Sequence, residues 1–423
     1  MSRRILLHVG SPKTGTTFLQ QIIWSQRDLA RDQGLLLPSK SFADHYLASL
    51  DVRGLSHRRE HPSRAVGMWR RMAEEAARWP GDALISHELL AAADDDQCKR
   101  AIEALGSDAE VHVVVTARDL ARQIPAEWQE HLKHRAVEPF SSFVQDIRDD
   151  TSGASWFWRV QDYAGVVSRW GASLPMSQVH VVTVPEFGAD PTLLWGRFAR
   201  LVGLDPDTFE LTGSRSNTSL NIEQAELLRR VNAALGERLP LPGPYPAVVK
   251  NILAHRVLAD RDGHALTLTG DDRAFAVERS RDLAVALAAL GCDVIGDLRE
   301  LIPAAGEVPV QDMHEPRPPS DEDLLAESVA AVVGLLDEHS TRLSELARER
   351  TDRRAARRAL QDAQRQLAVV TADRDGLVHD MQRRPLRHLV IGLSDRWPWL
   401  MSLRKQYWRG MNALRRRVRR RGD

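Results

Sequence analysis

At 423 residues the chain exceeds an ordinary single domain, and a hydrophobic share of 43% is enough for a sizeable core. Its 58 Lys and Arg balance 58 Asp and Glu, yet residues 383–423 hold thirteen basic and two acidic side chains, so a tail of +11 follows a body of −11. Cys98 and Cys292 lie far apart without CxxC spacing, which argues against a disulfide framework or cysteine-rich zinc site and fits a reducing compartment.

At the N-terminus, MSRR is followed by ILLHVG (5–10), too short an apolar run for a signal-peptide core. No segment reaches the roughly 18 consecutive apolar residues of a membrane span. The expectation is a cytoplasmic protein whose membrane contact, where it has one, is peripheral at the inner face. ILLHVG, ALISHE (83–88), VHVVVTAR (111–118) and VHVVTVPE (179–186) are β-branched-rich runs that alternate with helical stretches. Such runs suit strands buried on both faces, so the predicted fold class is α/β, a parallel β-sheet flanked by helices.

After the first run comes SPKTGTT (11–17), and then a helical stripe on which Phe18, Ile22 and Leu29 share a face. A strand end, a short loop with Lys13 and Gly15, and a helix beginning near Thr16 make an anion site. Amide groups at a helix N-terminus have no intrahelical partners, and the helix dipole adds positive potential. Lys13 precedes Gly15, whereas a nucleotide-triphosphate loop of the form GxxxxGK[ST] has Lys directly after its second Gly.

Further along, PTLLWGRFARLVGL, NIEQAELLRRVNAALGERL and ERSRDLAVALAALGCDVIGDLREL read as the remaining helices of a domain spanning residues 1–303. Residues 304–321 concentrate Pro, Gly and charge, a linker signature. Residues 322–382 lack Pro, and Leu360, Ala363, Leu367, Val370, Arg374, Leu377 and Met381 follow one another in alternating three- and four-residue steps. This is a heptad seam, consistent with a coiled coil and a homodimer or with a single solvated helix. Residues 383–423 mix the thirteen basic residues with Trp397, Trp399, Tyr407 and Trp408. That composition fits an anionic membrane surface, a protein partner or a solvated tail; nucleic acid is not the expected partner.

SPKTGTT resembles the 5′-phosphosulfate loop, PK[ST]GTT, of the sulfotransferases that use 3′-phosphoadenosine 5′-phosphosulfate (PAPS), and residues 5–301 resemble the bacterial branch of that P-loop-like fold. The resemblance implies that Lys13, Thr14, Gly15, Thr16 and Thr17 surround the 5′-phosphosulfate, with Lys13 stabilising charge on the bridging oxygen. It also implies that Arg118, at the end of the third run, contacts the 3′-phosphate together with a Ser eight residues on. Here Ala126 stands in that place, and Arg122 or Gln123 would have to substitute. The family's catalytic base, a His or a Glu after a strand, maps to His87 or Glu88; His45 in FADHYLA is another candidate. A late basic loop in some members maps to Arg215, Asn217 and Ser219, although Ser219 or Asn221 would equally cap the helix starting at Ile222. Trp156 and Trp158 either line an acceptor cleft or belong to the core.

The implied activity is transfer of a sulfuryl group from PAPS, without a metal, to a hydroxyl or amine of a glycan, glycolipid or small molecule. Two rivals are a magnesium-dependent phosphoryl transferase using ATP and a non-enzymatic, membrane-associated adaptor with a degenerate cofactor domain.

Overall fold

A computed structural model of the chain describes residues 4–58, 61–106, 109–211, 219–259, 263–303 and 319–419. It divides into two units, residues 1–338 and 339–423. The linker at 304–321 falls mostly outside the described residues, as do Arg215 and Asn217.

Unit 1 is built on six strands: β1 (Arg4–Gly10), β2 (Leu35–Leu36), β3 (Asp82–Ser86), β4 (Glu110–Ala117), β5 (Val179–Thr183) and β6 (Asp293–Ile295). They form one sheet in the order β2-β3-β1-β4-β5-β6, and every pairing is parallel. The continuous apolar runs follow from two covered faces. Ile5, Leu7 and Val9 point into a large core with Ile85, Val113, Val115, Trp128, Phe157 and Trp170. Leu6 points the other way, with Leu84, Val114 and Val182, onto Leu19, Ile22, Ile23, Trp195 and Phe198. Strand residues alternate between faces, so a run buried on both must be apolar at nearly every position.

Two strands were not legible as such. β2 is two leucines, and β6 lies in the stretch read as helix, where Gly270–Leu290 is followed by CDVIGDLREL. A run of two or three residues is too short to show a period, and the β5 edge alone recruits β6, pairing Val181 with Val294.

β1 has β3 on one side and β4 on the other. The chain leaves β1 toward β2 and leaves β4 toward β5, in opposite directions along the sheet. A crevice opens beyond the C-terminal ends of strands where such connections diverge, and it is the usual ligand position in open α/β sheets. Here it lies at Gly10 and Ala117.

The helix Asp321–Arg383 begins in unit 1, where Leu324 and Ala331 are buried and Gly334 faces Val257. In unit 2 it carries the entire heptad seam, with Leu360, Leu367 and Val370 all at least 60% exposed. Two further helices, Pro385–Arg396 and Met401–Arg419, fold against each other. Arg404 bonds to Asp395 and Ser394, and the Arg387 guanidinium lies 5.1 Å from the Trp408 ring centroid. Among the described residues no helix is long and apolar enough to cross a membrane.

Candidate active site

At the C-terminal end of β1 the chain turns through Gly10 and Lys13, both with positive φ, and reaches Gly15 at φ 84°, which caps the helix Thr16–Ser25. Gly10 is required twice: its backbone is left-handed, and a Cβ there would stand 2.8 Å from the Glu88 Cα. Gly15 is similarly constrained, since a Cβ would meet Leu194 at 2.6 Å. The Ser11 amide donates to the Thr116 carbonyl at 3.1 Å, and the Gln123 and Gln161 amides both donate to the Pro12 carbonyl, at 2.5 and 3.2 Å. Loop and β4 are therefore locked together before any ligand arrives. Beside them opens a cavity of about 1130 Å³.

Lys13, Gly15, Thr16 and Thr17 line this cavity; Thr14 does not. The Thr14 side chain is fully buried, donates to the Ser11 carbonyl at 2.5 Å and meets the Thr116 hydroxyl at 2.5 Å. Of the five residues expected to surround the anion, Thr14 thus turns its hydroxyl away from the cavity and braces the loop from behind. The helix start has no acidic residue in its first turn, so the dipole potential toward the cavity is not cancelled locally.

Arg118, just past β4, also lines the cavity. One of its terminal nitrogens donates to the Lys13 carbonyl at 3.2 Å, and its Nε is buried without a hydrogen-bond partner among the described residues. Burial, reinforced by nearby Arg122, lowers its pKa to about 10, which still leaves it charged at neutral pH. Arg122 lines the cavity as well, but its Nε is paired with Asp119 and a terminal nitrogen donates to the Pro185 carbonyl at 3.0 Å. Gln123 points behind the loop, not into the cavity. Ala126 is on the cavity wall, so the residue standing where a hydroxyl was expected does face the ligand space.

One turn beyond Ala126, Glu130 accepts from Lys13 Nζ at 2.5 Å and Lys250 Nζ at 2.7 Å, with His134 Nε2 at 3.0 Å. Burial alone would raise its pKa, but the His134 hydrogen bond and the two lysine charges reverse that and hold it well below the usual carboxylate range. Lys133 is 5% exposed and lines the same cavity; burial and the Lys13 charge lower its pKa to about 8. Sequence reading missed this group, although the signal existed for one member. Positions 122, 126 and 130 succeed one another at four-residue steps on the helix Leu120–Lys133, so a residue one turn past Ala126 must share its face. Lys250 carries no such mark, since only the fold brings the helix Pro246–Leu258 here.

The candidate bases occupy distinct surroundings. β3 ends at Ser86, so His87 and Glu88 are not strand neighbours on opposite faces, and both line the cavity. His87 caps the short helical turn Glu88–Ala92, its Nδ1 accepting from the Leu89 amide at 3.2 Å. That bond leaves the ring proton on Nε2, which can donate to a ligand but cannot accept from it. Burial lowers the His87 pKa, against the opposing pull of Glu88. Glu88 accepts from Gln20 Nε2 at 3.3 Å. His45 lies outside the cavity wall with both nitrogens engaged, at 3.0 Å from the Pro38 carbonyl and 3.0 Å from the Ser86 amide; burial lowers its pKa to about 4.

Glu127, which sequence reading did not single out, lines the cavity while only 3% exposed. Its Oε2 is buried without a hydrogen-bond partner among the described residues, and its Oε1 is 3.8 Å from His131 Nε2. Trp156 lines the cavity and is covered by Arg53 at 5.2 Å; Trp158 instead donates to the Ile147 carbonyl at 3.1 Å in the core. Ser219 is on the cavity wall, next to residues 212–218, which lie outside the described ones. The cap of the helix Ile222–Leu235 is Asn221, whose side chain and Gln224 form a reciprocal capping box. Among the described residues no group of His, Cys, Asp and Glu is arranged to hold a metal ion.

No family model matches the chain, and no curated protein matches it. Among solved structures, it is similar to the crystal structure of a sulfotransferase from Alicyclobacillus acidocaldarius, with 16% identity and a TM-score of 0.32, covering 59% of this chain and 97% of that one.

Proposed function

We propose that unit 1 is a sulfotransferase that takes a sulfuryl group from PAPS and passes it to a hydroxyl or amine. The observation that carries this reading is the pairing of Arg118 with the loop across one crevice. A buried guanidinium whose Nε has no partner among the described residues bonds to the Lys13 carbonyl, beside a helix N-terminus whose capping Gly15 has the left-handed backbone that L side chains rarely adopt. A donor with phosphate at one end and phosphosulfate at the other fits two anion sites so placed. Lys13 and the amides from Gly15 to Thr17 would hold the 5′-phosphosulfate, and Arg118 the 3′-phosphate. When bound, the donor supplies an activated sulfuryl group; the protein supplies orientation and charge for the leaving phosphate.

Lys13 is paired with Glu130 in the structure, so in this reading the incoming anion competes with that carboxylate for the ammonium, while Lys250 and His134 keep Glu130 satisfied. Calorimetry with 3′-phosphoadenosine 5′-phosphate against ATP tests the reading. Binding of the bisphosphate should weaken roughly ten- to hundredfold in Lys13→Ala and in Arg118→Ala, the range for hydrogen bonds to charged groups. Magnesium-dependent preference for ATP would replace it with a phosphoryl transferase, and binding of neither nucleotide with an adaptor.

For unit 2 we propose contact with an anionic lipid surface through residues 383–423. Trp397 and Trp399 are 47% and 73% exposed there, alongside the run of arginines from Arg415. Each basic residue near such a surface contributes about 1 kcal/mol. Deleting 383–423 should abolish sedimentation with phosphatidylserine vesicles and leave bisphosphate affinity intact; unchanged sedimentation refutes the contact.

A further inference from the structure

We propose that Glu127 is the group that takes the acceptor's proton, a role that rests on the sulfotransferase reading above. Its geometry is that of a base waiting for a substrate. The side chain is almost wholly buried on the helix Leu120–Lys133, it borders the cavity, and Oε2 has no hydrogen-bond partner among the described residues. A buried carboxylate oxygen without a partner is costly in a finished core, and a turn of the carboxyl toward the cavity would let an acceptor hydroxyl or amine donate to it.

Among the described residues the charged groups acting on Glu127 are Lys13, Glu130 and Glu88; His131 Nε2 stands 3.8 Å from Oε1, and the Trp156 side chain approaches the same carboxyl. Burial pushes its pKa up to about 7. Lys13 pulls it down, Glu130 pushes it back up, Trp156 pulls down and Glu88 pushes up. A base of that strength is half ionised near neutral pH, the range in which general-base catalysis is most effective. The other candidates are worse placed. His87 presents a proton rather than a lone pair, and Glu130 is held as a weak base by two lysines. The Glu88 Oε2 already accepts from Gln20.

In the step itself, the acceptor O–H (or N–H) bond breaks and its proton passes to the Glu127 carboxylate. The acceptor atom forms a bond to sulfur, the bond from sulfur to the bridging oxygen breaks, and the 3′,5′-bisphosphate departs with that electron pair beside Lys13. No oxidant, reductant or metal enters the balance.

Three measurements on the full chain test the assignment. Difference infrared spectroscopy should show a protonated carboxyl band that titrates near pH 7 and is missing in Glu127→Gln. Release of labelled sulfate from PAPS to water, or to an added alcohol, should fall about 10²- to 10⁴-fold in Glu127→Gln. The acid limb of its pH profile should vanish there and persist in Glu88→Gln. Bisphosphate affinity, measured by calorimetry, should stay within about threefold of wild type, separating proton transfer from donor binding. Glu127→Asp keeps the carboxylate but withdraws it by one methylene, and should retain the acid limb at a reduced rate. An acid limb unchanged in Glu127→Gln, or abolished in Glu88→Gln, overturns the role of Glu127 while leaving the reading of the site intact. A wild-type chain that binds no bisphosphate overturns the reading, and the role falls with it.

Discussion

Leu7 and Leu367 are the same residue in two regions with opposite fates. Leu7 sits in β1 with no exposure at all, whereas Leu367, on the long helix of unit 2, is 66% exposed. In unit 1 apolar residues are consumed by a sheet covered on both faces, and most polar groups left inside are paired or border the cavity. In unit 2 the helix is satisfied by its own backbone, and its apolar seam is left to the surface. Burial thus creates unusual chemistry in one region, such as a carboxyl raised to about 7 at Glu127, and exposure leaves a surface for association in the other.

The largest expected break in this comparison is at the core. Leu7→Ala should destabilise unit 1 by about 2–5 kcal/mol, as large-to-small changes in closed cores do, measured by urea denaturation of the full chain. Next comes Glu127, where the sign follows from proton binding. Its folded pKa of about 7 lies above the ordinary carboxylate value, so between about pH 4.5 and 7 the folded state holds more protons than the unfolded one. Wild-type stability should therefore fall as pH rises through that window. Relative to wild type, Glu127→Gln should gain about 2.5 kcal/mol between pH 5 and pH 8, since a pKa raised by one corresponds to roughly 1.4 kcal/mol. A pH-independent difference would mean that Glu127 titrates normally.

Arg118→Ala is expected to reduce bisphosphate affinity ten- to hundredfold, about 1.4–2.8 kcal/mol, measured by calorimetry. The smallest effect is at the seam. Leu367→Ala should change the stability of an isolated chain by less than about 0.5 kcal/mol. If unit 2 pairs with a second copy through the seam, the same substitution will instead shift a concentration-dependent transition, which sedimentation equilibrium would detect.

Much of the fold was legible because the four long strands are nearly continuous apolar runs, and only a doubly covered parallel sheet requires that pattern. The loop was legible because Lys13, Gly15 and Thr16 are local in the chain, as is the strand end that delivers Arg118. Thr14 was misplaced at the level of its side chain, since nothing in SPKTGTT says which hydroxyl turns inward; Thr116, about a hundred residues away, decides it. Nothing in FADHYLA shows that the Pro38 carbonyl and the Ser86 amide claim both nitrogens of His45.

The sequence by itself determined the class of fold, the strand-to-helix loop with Lys13 and Gly15, the position of Arg118 and the separation of an acidic body from a basic, helix-rich C-terminal part. These depend on composition, on periods of two and of 3.6 residues, and on short-range turn chemistry, all of which are written in neighbouring residues. Only the tertiary structure decided that Glu130 holds Lys13, that Lys250 joins them, and that Glu127 is a buried carboxyl with an oxygen to spare. Burial, and the proton affinity it sets, depends on which distant elements close around a side chain, and no local pattern records that.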